Sequence, residues 1–181
     1  MMIPLMSKII QWWIKRLMPP ARYAKYIGVN IGENNYVPDK DTWSSEPYLI
    51  TVGNNCQITK GVRILTHGGG QVMRDIYPDY DSFGKVKIGN YVYIGNNALI
   101  MPGVNIGDYS LVAAGSVVTK SIPSRMVVAG VPARIVCTIE KYIEKNAKYN
   151  THTKGMSNDE KRQLLKRLSD ESFIVKPLIE Q

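Results

Sequence analysis

Apolar positions recur every six residues through the middle of the chain. From Ile88, steps of six reach Ile94, Ile100, Ile106, Val112 and Val118 without a miss. The fourth residue after each is small or aliphatic: Val92, Ala98, Val104, Ser110, Ser116 and Ile122. A glycine or alanine often comes second, as at Gly89, Gly95, Gly107 and Ala113. An amphipathic helix would space its apolar residues at about 3.6, and a half-exposed strand at two. A strict six matches neither, and self-similarity at a fixed period marks a repeat architecture. The period predicts a triangular coil whose flat sides are single hexapeptides. The aliphatic residue fills the interior and the small one sits at a corner where room is short. Three sides close one coil, so residues eighteen apart stack, Ile106 on Ile88 and Val112 on Ile94. No repeat buries its apolar face alone, so stability has to come from stacked coils.

The same spacing appears earlier, at Val52, Ile58 and Ile64, with Cys56 and Val62 at the small inward position. Ile31-Gly32 reads as a still earlier, imperfect turn. The stretch from Pro38 to Leu49, with Trp43, Glu46 and Pro47, breaks the register as a loop would. A longer interruption runs from Gly70 to Lys87. Ile64 and Ile88 are 24 residues apart, a multiple of six, which predicts a protruding loop rather than a second domain. Loops of that length inside a compact repeat are usually functional.

Beyond Pro132 the pattern stops. Residues 139–149 read as a helix, and Ser157-Asn158-Asp159-Glu160 fits a capping box opening a second, through Leu164, Leu165 and Leu168. These helices are expected to cap the open end of the coil and cover its unpaired edge. At the other end, Ile9, Ile10, Trp12, Trp13, Ile14, Leu17 and Met18 are apolar, but Lys8, Lys15 and Arg16 interrupt them and Pro19-Pro20 ends the run. That run is too short and too charged to span a bilayer, and it lacks the pattern of a signal peptide. An amphipathic helix packed on the protein is the first reading, and one lying on a membrane surface is the second. The expected organisation is mainly β: a helical segment over residues 1–26, a parallel β-helix over 27–137 with a loop insertion at 70–87, and a helical tail over 138–181. A cytoplasmic location follows, with peripheral membrane contact as an option.

Composition narrows the chemistry. The chain has 181 residues, 44% of them hydrophobic, enough for one well-buried domain with short appendages. Its 23 Lys+Arg against 15 Asp+Glu give a formal charge of +8, which favours anionic partners: nucleic acid, a membrane surface or a phosphorylated cofactor. The basic residues are scattered, with no cluster interleaved with aromatics, so no nucleic acid partner is expected. Cys56 and Cys137 make neither a disulfide framework nor a CxxC site, and two histidines, His67 and His152, leave little for zinc. No metal is expected.

Four segments carry a resemblance. They are Ile88-Gly89-Asn90-Tyr91-Val92-Tyr93-Ile94-Gly95, Pro102-Gly103-Val104, Ala114-Gly115-Ser116-Val117-Val118-Thr119-Lys120 and Ala129-Gly130-Val131-Pro132-Ala133-Arg134. Together they resemble the hexapeptide-repeat acetyltransferases, and within them the maltose/galactoside and capsular-polysaccharide O-acetyltransferase branch. The resemblance spans roughly residues 27–137 and is most specific over 66–134. It implies a left-handed coil, an exception to the usual right-handed parallel crossover. It also implies a homotrimer with active sites between subunits, acetyl-CoA as co-substrate and a saccharide acceptor.

His67, just before the long interruption, takes the place of the family's general base. A sugar hydroxyl is a poor nucleophile until its proton is accepted, a task suited to imidazole. Family members often carry an acidic residue next, where this chain has Gly68, so the residue orienting His67 has to come from elsewhere; Glu46 is the candidate. Backbone groups at Asn96 and Ala114, eighteen apart, would hold the pantetheine arm, with the Asn96 N–H at the oxyanion. Thr119, Lys120 and Arg134 would reach the phosphates. Tyr93 stands where the family often has Trp and keeps an aromatic platform beside the cofactor. In the long loop, Asp75 and Asp81 are the candidates for acceptor hydroxyls, although such residues equally suit an ordinary exposed loop.

Transfer would be direct, in a ternary complex. Cys56 and Cys137 read as structural, and His152 as an exposed surface residue. N-acetylation of an amino-sugar nucleotide and a non-catalytic β-helix scaffold are the competing readings. A β-helix carbonic anhydrase would need three histidines and is rejected.

Overall fold

The computed structural model describes residues 12–178, and in it the six-residue period becomes a stack of very short strands. In chain order these are β1 (Asn30–Ile31), β2 (Ile50–Val52), β3 (Gln57–Ile58), β4 (Arg63–Ile64), β5 (Val86–Ile88), β6 (Tyr93–Ile94), β7 (Leu99–Ile100), β8 (Asn105–Ile106), β9 (Leu111–Val112), β10 (Val117–Val118), β11 (Met126–Gly130) and β12 (Ala133–Thr138). They form three sheets, ordered β1-β2-β5-β8, β3-β6-β9-β11-β12 and β4-β7-β10. From β2 to β10, successive strands pass to successive sheets, so the chain winds around a three-sided prism.

Side length sets strand length: with about two residues on each flat side, one points in and one out. The inward residues stack in register, Ile106 on Ile88, Val112 on Ile94 and Val118 on Ile100. Ile58, Ile64, Ile94, Ile100 and Val112 have no exposed surface. Each such side chain contributes about 1.5–3 kcal/mol on burial, which makes the aliphatic column the main source of stability in the coil.

The corners have their own chemistry. Asn34, Asn55, Tyr91, Asn97, Tyr109 and Arg125 hold φ between 55° and 65°, the left-handed region that a sharp corner requires. Along one edge the polar residues preceding these form a ladder. Asn54 Oδ1 accepts from Glu33 N–H (2.8 Å), Asn90 Oδ1 from Asn54 N–H (2.9 Å), and Asp108 Oδ1 from Asn90 N–H (2.6 Å). Each coil thereby satisfies backbone donors of the coil before it.

Two interruptions differ from the expected ones. Trp43 is not in a loop. It is 7% exposed and bridges Ile64, so Ile31, Val37 and Trp43 continue the inward column at steps of six. The register breaks only after Trp43, and Ile31 pairs with Val52 across 21 residues (52 minus 31) rather than eighteen. The second interruption lies between β4 and β5. Val52 pairs with Ile88, Ile58 with Ile94 and Ile64 with Ile100, each pair 36 residues apart (88 minus 52, for example). One full coil of chain is extruded there. Its base is pinched by Gly84 N–H donating to Thr66 O (2.7 Å) and by an antiparallel bridge between His67 and Phe83. Val86 and Lys87 already belong to β5, so the insertion ends two residues before the expected Lys87.

β12 turns back antiparallel on β11 and is itself the outer strand at one edge of the five-stranded sheet. By internal contacts the chain divides into residues 1–139 and 140–181. The second unit holds α2 (Ile139–Ala147, its first residue in the first unit) and α3 (Asn158–Leu165). The capping box opens α3 with both bonds made, Ser157 Oγ accepting from Glu160 N–H and Glu160 Oε2 from Ser157 N–H, but Leu168 lies beyond its end.

Residues 12–17 are helical, and Pro20 opens α1 (Pro20–Tyr26), since proline suits a first helical turn. The polar side of the first helix meets the coil: Lys15 pairs with Asp41 at 2.5 Å, and Lys40 Nζ donates to the carbonyls of Lys15 and Arg16. Trp12, Trp13 and Leu17 are exposed, contrary to a helix that packs by its apolar face. The expectations for Lys8, Ile9 and Ile10 lie outside the described residues. Among the described residues no helix is long and apolar enough to cross a membrane.

Candidate functional site

Chemistry gathers where the two register breaks meet. After Trp43 come Ser44, Ser45 and Glu46, and Glu46 begins a short 3-10 turn over Pro47–Leu49, in which Pro47 is buried. After β4 the chain reaches Thr66, which is fully buried, and then His67. The two segments are tied side by side. Thr66 N–H donates to Ser44 Oγ (3.3 Å), and the Thr66 hydroxyl donates to Glu46 Oε2 at 2.7 Å. The same carboxylate oxygen lies 2.6 Å from His67 Nδ1. A carboxylate offers only acceptors, so the network assigns the shared proton to Nδ1 and leaves the Nε2 lone pair free.

Glu46 is held below its ordinary value of 4.5, first by the Thr66 hydroxyl, with burial opposing and His67 and Ser45 adding to the lowering. It therefore stays a carboxylate at neutral pH. Its side chain is 18% exposed and that of His67 is 41% exposed, so the pair is anchored on one side and open on the other. The Phe83 ring, 5.9 Å from the imidazole between centroids, makes one wall.

The insertion beside this pair folds on itself. Arg74 Nε donates to Tyr80 O (3.1 Å), and its guanidinium faces Asp81 at 4.0 Å. Asp81 thus has a partner within the loop, Asp75 is exposed, and neither meets His67 in this structure. Val72 and Ile76 are exposed apolar residues of the same loop, a feature with no counterpart in the sequence reading.

The expected cofactor residues fall into two groups. Asn96 and Ala114 occupy equivalent corners on successive coils. Gly95 makes their close approach possible: a Cβ there would lie 2.4 Å from Ala114 N. Gly115 N–H donates to Asn96 O at 2.8 Å. The N–H groups of Asn96 and Ala114 have no acceptor among the described residues, and both residues are exposed. These are two outward donors one coil apart, next to the 38% exposed Tyr93. The second group joins Lys120 and Arg134, which line one cleft of about 340 Å³ with Val118, Ile122, Pro123 and Ala133. The antiparallel return of β12 brings Arg134 there. Thr119 is exposed but does not line the cleft.

In one chain these parts do not converge. His67 and Lys120 lie on the edge that leads from the three-stranded to the four-stranded sheet. Asn96 and Ala114 lie on the edge between the five-stranded and three-stranded sheets. The Asn96 N–H and His67 therefore lie on different edges of the coil.

The cysteines fit no catalytic part. Cys56 is buried, its thiol is pushed up by that burial, and its sulfur approaches Gly89 O at 3.0 Å. Neither cysteine is in a disulfide. His152 is exposed in the second unit. Among the described residues no group of three or more His, Cys, Asp or Glu is placed to hold a metal ion.

Residues 85–120 match the bacterial transferase hexapeptide (six repeats) family. Protein CapG of Staphylococcus aureus is 38% identical over 160 residues, covering 87% of this chain and 92% of that protein. Galactoside O-acetyltransferase of Escherichia coli (strain K12) is 36% identical over 125 residues, covering 68% of this chain and 59% of that enzyme. Among solved structures, a galactoside acetyltransferase in complex with coenzyme A matches with a TM-score of 0.55 and 26% identity, over 77% of this chain and 82% of that one.

Proposed function

Because the chain belongs to the hexapeptide-repeat transferase family, we propose that it carries an acetyl group from acetyl-CoA to a hydroxyl of a saccharide. The observation that carries this reading is the anchored and open His67, held by Glu46 at the base of the extruded coil. Glu46 keeps the proton on Nδ1, and Nε2 accepts the proton of the acceptor hydroxyl. The freed oxygen attacks the thioester carbonyl, a C–O bond forms, and the C–S bond breaks. His67 then returns its proton to the departing thiolate. Transfer is direct, since the buried Cys56 thiol is unsuited to carry an acyl group.

The donor fits what the chain offers. The outward N–H groups of Asn96 and Ala114 suit an extended pantetheine arm, and the Asn96 N–H suits the oxyanion. Lys120 and Arg134 share a cleft suited to phosphates, with Thr119 beside it and Tyr93 as a wall for the arm. Their placement on different edges supports a left-handed homotrimer in which one subunit presents His67 and its neighbour presents Asn96 and Ala114. Asp75 and Asp81 stay in this reading as contacts for acceptor hydroxyls. A cytoplasmic enzyme reaching an acceptor at the membrane surface agrees with the outward Trp12, Trp13 and Leu17, flanked by Arg16 and Arg22.

The test is acetyl-CoA turnover with neutral glycosides and with UDP-linked amino sugars. The reading expects acetyl ester formation on the neutral sugars, and a kcat for His67→Ala lower by about 10²–10⁴-fold. Turnover on the amines alone would move the chain to N-acetylation. Absence of both CoA binding and transfer would leave a scaffold.

A further inference from the structure

Thr66 has no assigned role, yet it sits at the centre of the His67 geometry. Its side chain has no exposed surface, so the hydroxyl has no water to bond and must find its partner inside the protein. That partner is Glu46 Oε2 at 2.7 Å, the oxygen that also takes His67 Nδ1 at 2.6 Å. One carboxylate oxygen is thus held from two sides by neighbours in sequence, one pointing inward and the other outward. Glu46 lies 20 residues before Thr66, and of its hydroxyl partners, Thr66 and Ser45, the buried Thr66 lowers its carboxyl most. The backbone of Thr66 holds the Glu46 segment too, through Ser44 Oγ.

We propose that Thr66 is a positioning residue for His67: its hydroxyl aims Glu46 so that the imidazole keeps its proton on Nδ1 and presents Nε2 outward. Charged contacts do not compete for the task. Among the described residues Glu46 is the charged partner of His67, while Arg74 and Asp81 of the insertion face each other. Phe83 packs against the ring and supplies no hydrogen bond. Without the Thr66 hydroxyl, Glu46 loses a buried donor and rotates toward solvent. The imidazole then samples both tautomers, and only one of them has Nε2 free to accept a proton. This inference rests on the transferase reading for its kinetic consequence but not for its structural one.

The experiment compares Thr66→Val, which removes the hydroxyl with little change of shape, with Thr66→Ser, which keeps it. In ¹⁵N-histidine-labelled protein, with His152→Gln used to assign the signals, wild type and Thr66→Ser should show the Nδ1–H tautomer of His67. Thr66→Val should show a mixture. With acetyl-CoA and a p-nitrophenyl glycoside acceptor, Thr66→Val should lower kcat about tenfold, the kinetic equivalent of one weak charge-assisted hydrogen bond. KM for acetyl-CoA should be unchanged and Thr66→Ser should recover the rate. In a Glu46→Ala background, Thr66→Val should cost nothing more, because the effect runs through the carboxylate. An unchanged tautomer in folded Thr66→Val, or a full additional loss in the Glu46→Ala background, overturns the proposal. Failure of both Thr66→Val and Thr66→Ala to fold would also overturn it, by making Thr66 a folding residue. The tautomer measurement needs no acetyl transfer, so it decides the role of Thr66 even if the transferase reading fails.

Discussion

Replacing Gly95 with alanine tests the stacking of the coils and the cofactor track together. The added Cβ would lie 2.4 Å from Ala114 N, 2.8 Å from Ala114 Cα and 2.9 Å from Ala113 C. All three atoms are backbone, so no rotamer change relieves the contact. Ordinary van der Waals separation is about 3.5 Å or more, so the two coils must part by roughly 1 Å at this corner. Two bonds cross it, Gly95 N–H to Val112 O and Gly115 N–H to Asn96 O, both 2.8 Å. Lengthened by that amount they leave the hydrogen-bonding range, and each is worth about 0.5–1.5 kcal/mol net. With overpacking strain of about 1–3 kcal/mol, the total is about 2–6 kcal/mol. For a chain of this size, at about 2–4 °C per kcal/mol, that lowers Tm by roughly 4–24 °C.

The assay is thermal unfolding by circular dichroism at one protomer concentration, with CoA titrated calorimetrically into each variant. Gly115→Ala is the control: a Cβ there meets nothing within 4 Å, although φ is 70°, so only backbone strain of about 1 kcal/mol applies. Gly95→Ala should melt well below Gly115→Ala and bind CoA more weakly than wild type. If Gly95→Ala melts with wild type, or no lower than the control, the close stacking at this corner is refuted.

Three further outcomes are expected. Removing both cations of the cleft, with Lys120→Ala and Arg134→Ala, should raise KM for acetyl-CoA roughly tenfold while leaving S-acetyl-pantetheine unaffected, because only the former carries the phosphates; equal losses on both substrates would refute a phosphate role. Glu46→Gln tests the depressed Glu46 carboxyl. A folded value below the unfolded one gives stability that is complete above about 4.5 and is lost as pH falls through the folded value. The Tm advantage of wild type over Glu46→Gln should therefore be full at neutral pH and vanish on acidification, and an advantage that grew in acid would contradict it. Ile94→Ala, at a fully buried position between Ile58 and Val112, should cost about 2–5 kcal/mol in chemical denaturation; a loss under 1 kcal/mol would mean that the column is not tightly packed.

The coil is legible in the residue pattern alone, because every inward position faces the same constraint and repeats the same answer. Ile88 with Ile106 and Ile94 with Val112 can be stacked on paper, since the rule linking residues eighteen apart is local and periodic. Asn96 and Ala114 were legible as equivalent corners for the same reason. His67 stands out as a candidate as well, through resemblance and through its place just before the long insertion.

What the breaks in the period do follows from the folded chain. Trp43 looked like a loop residue because an indole does not resemble the usual aliphatic filler, yet the first coil has room for it. Glu46 and Thr66 are 20 residues apart with no periodic relation, and they meet because a buried hydroxyl must find an acceptor. Arg134 reaches the cleft of Lys120 because β12 turns back antiparallel, a reversal that no six-residue rule contains. The first helix turns its tryptophans outward because Lys15, Asp41 and Lys40 hold its other side to the coil. Periodic packing is a short-range property written along the chain. Pairing between two insertions depends on which polar groups the coil leaves unsatisfied, and that is known only once the coil is built.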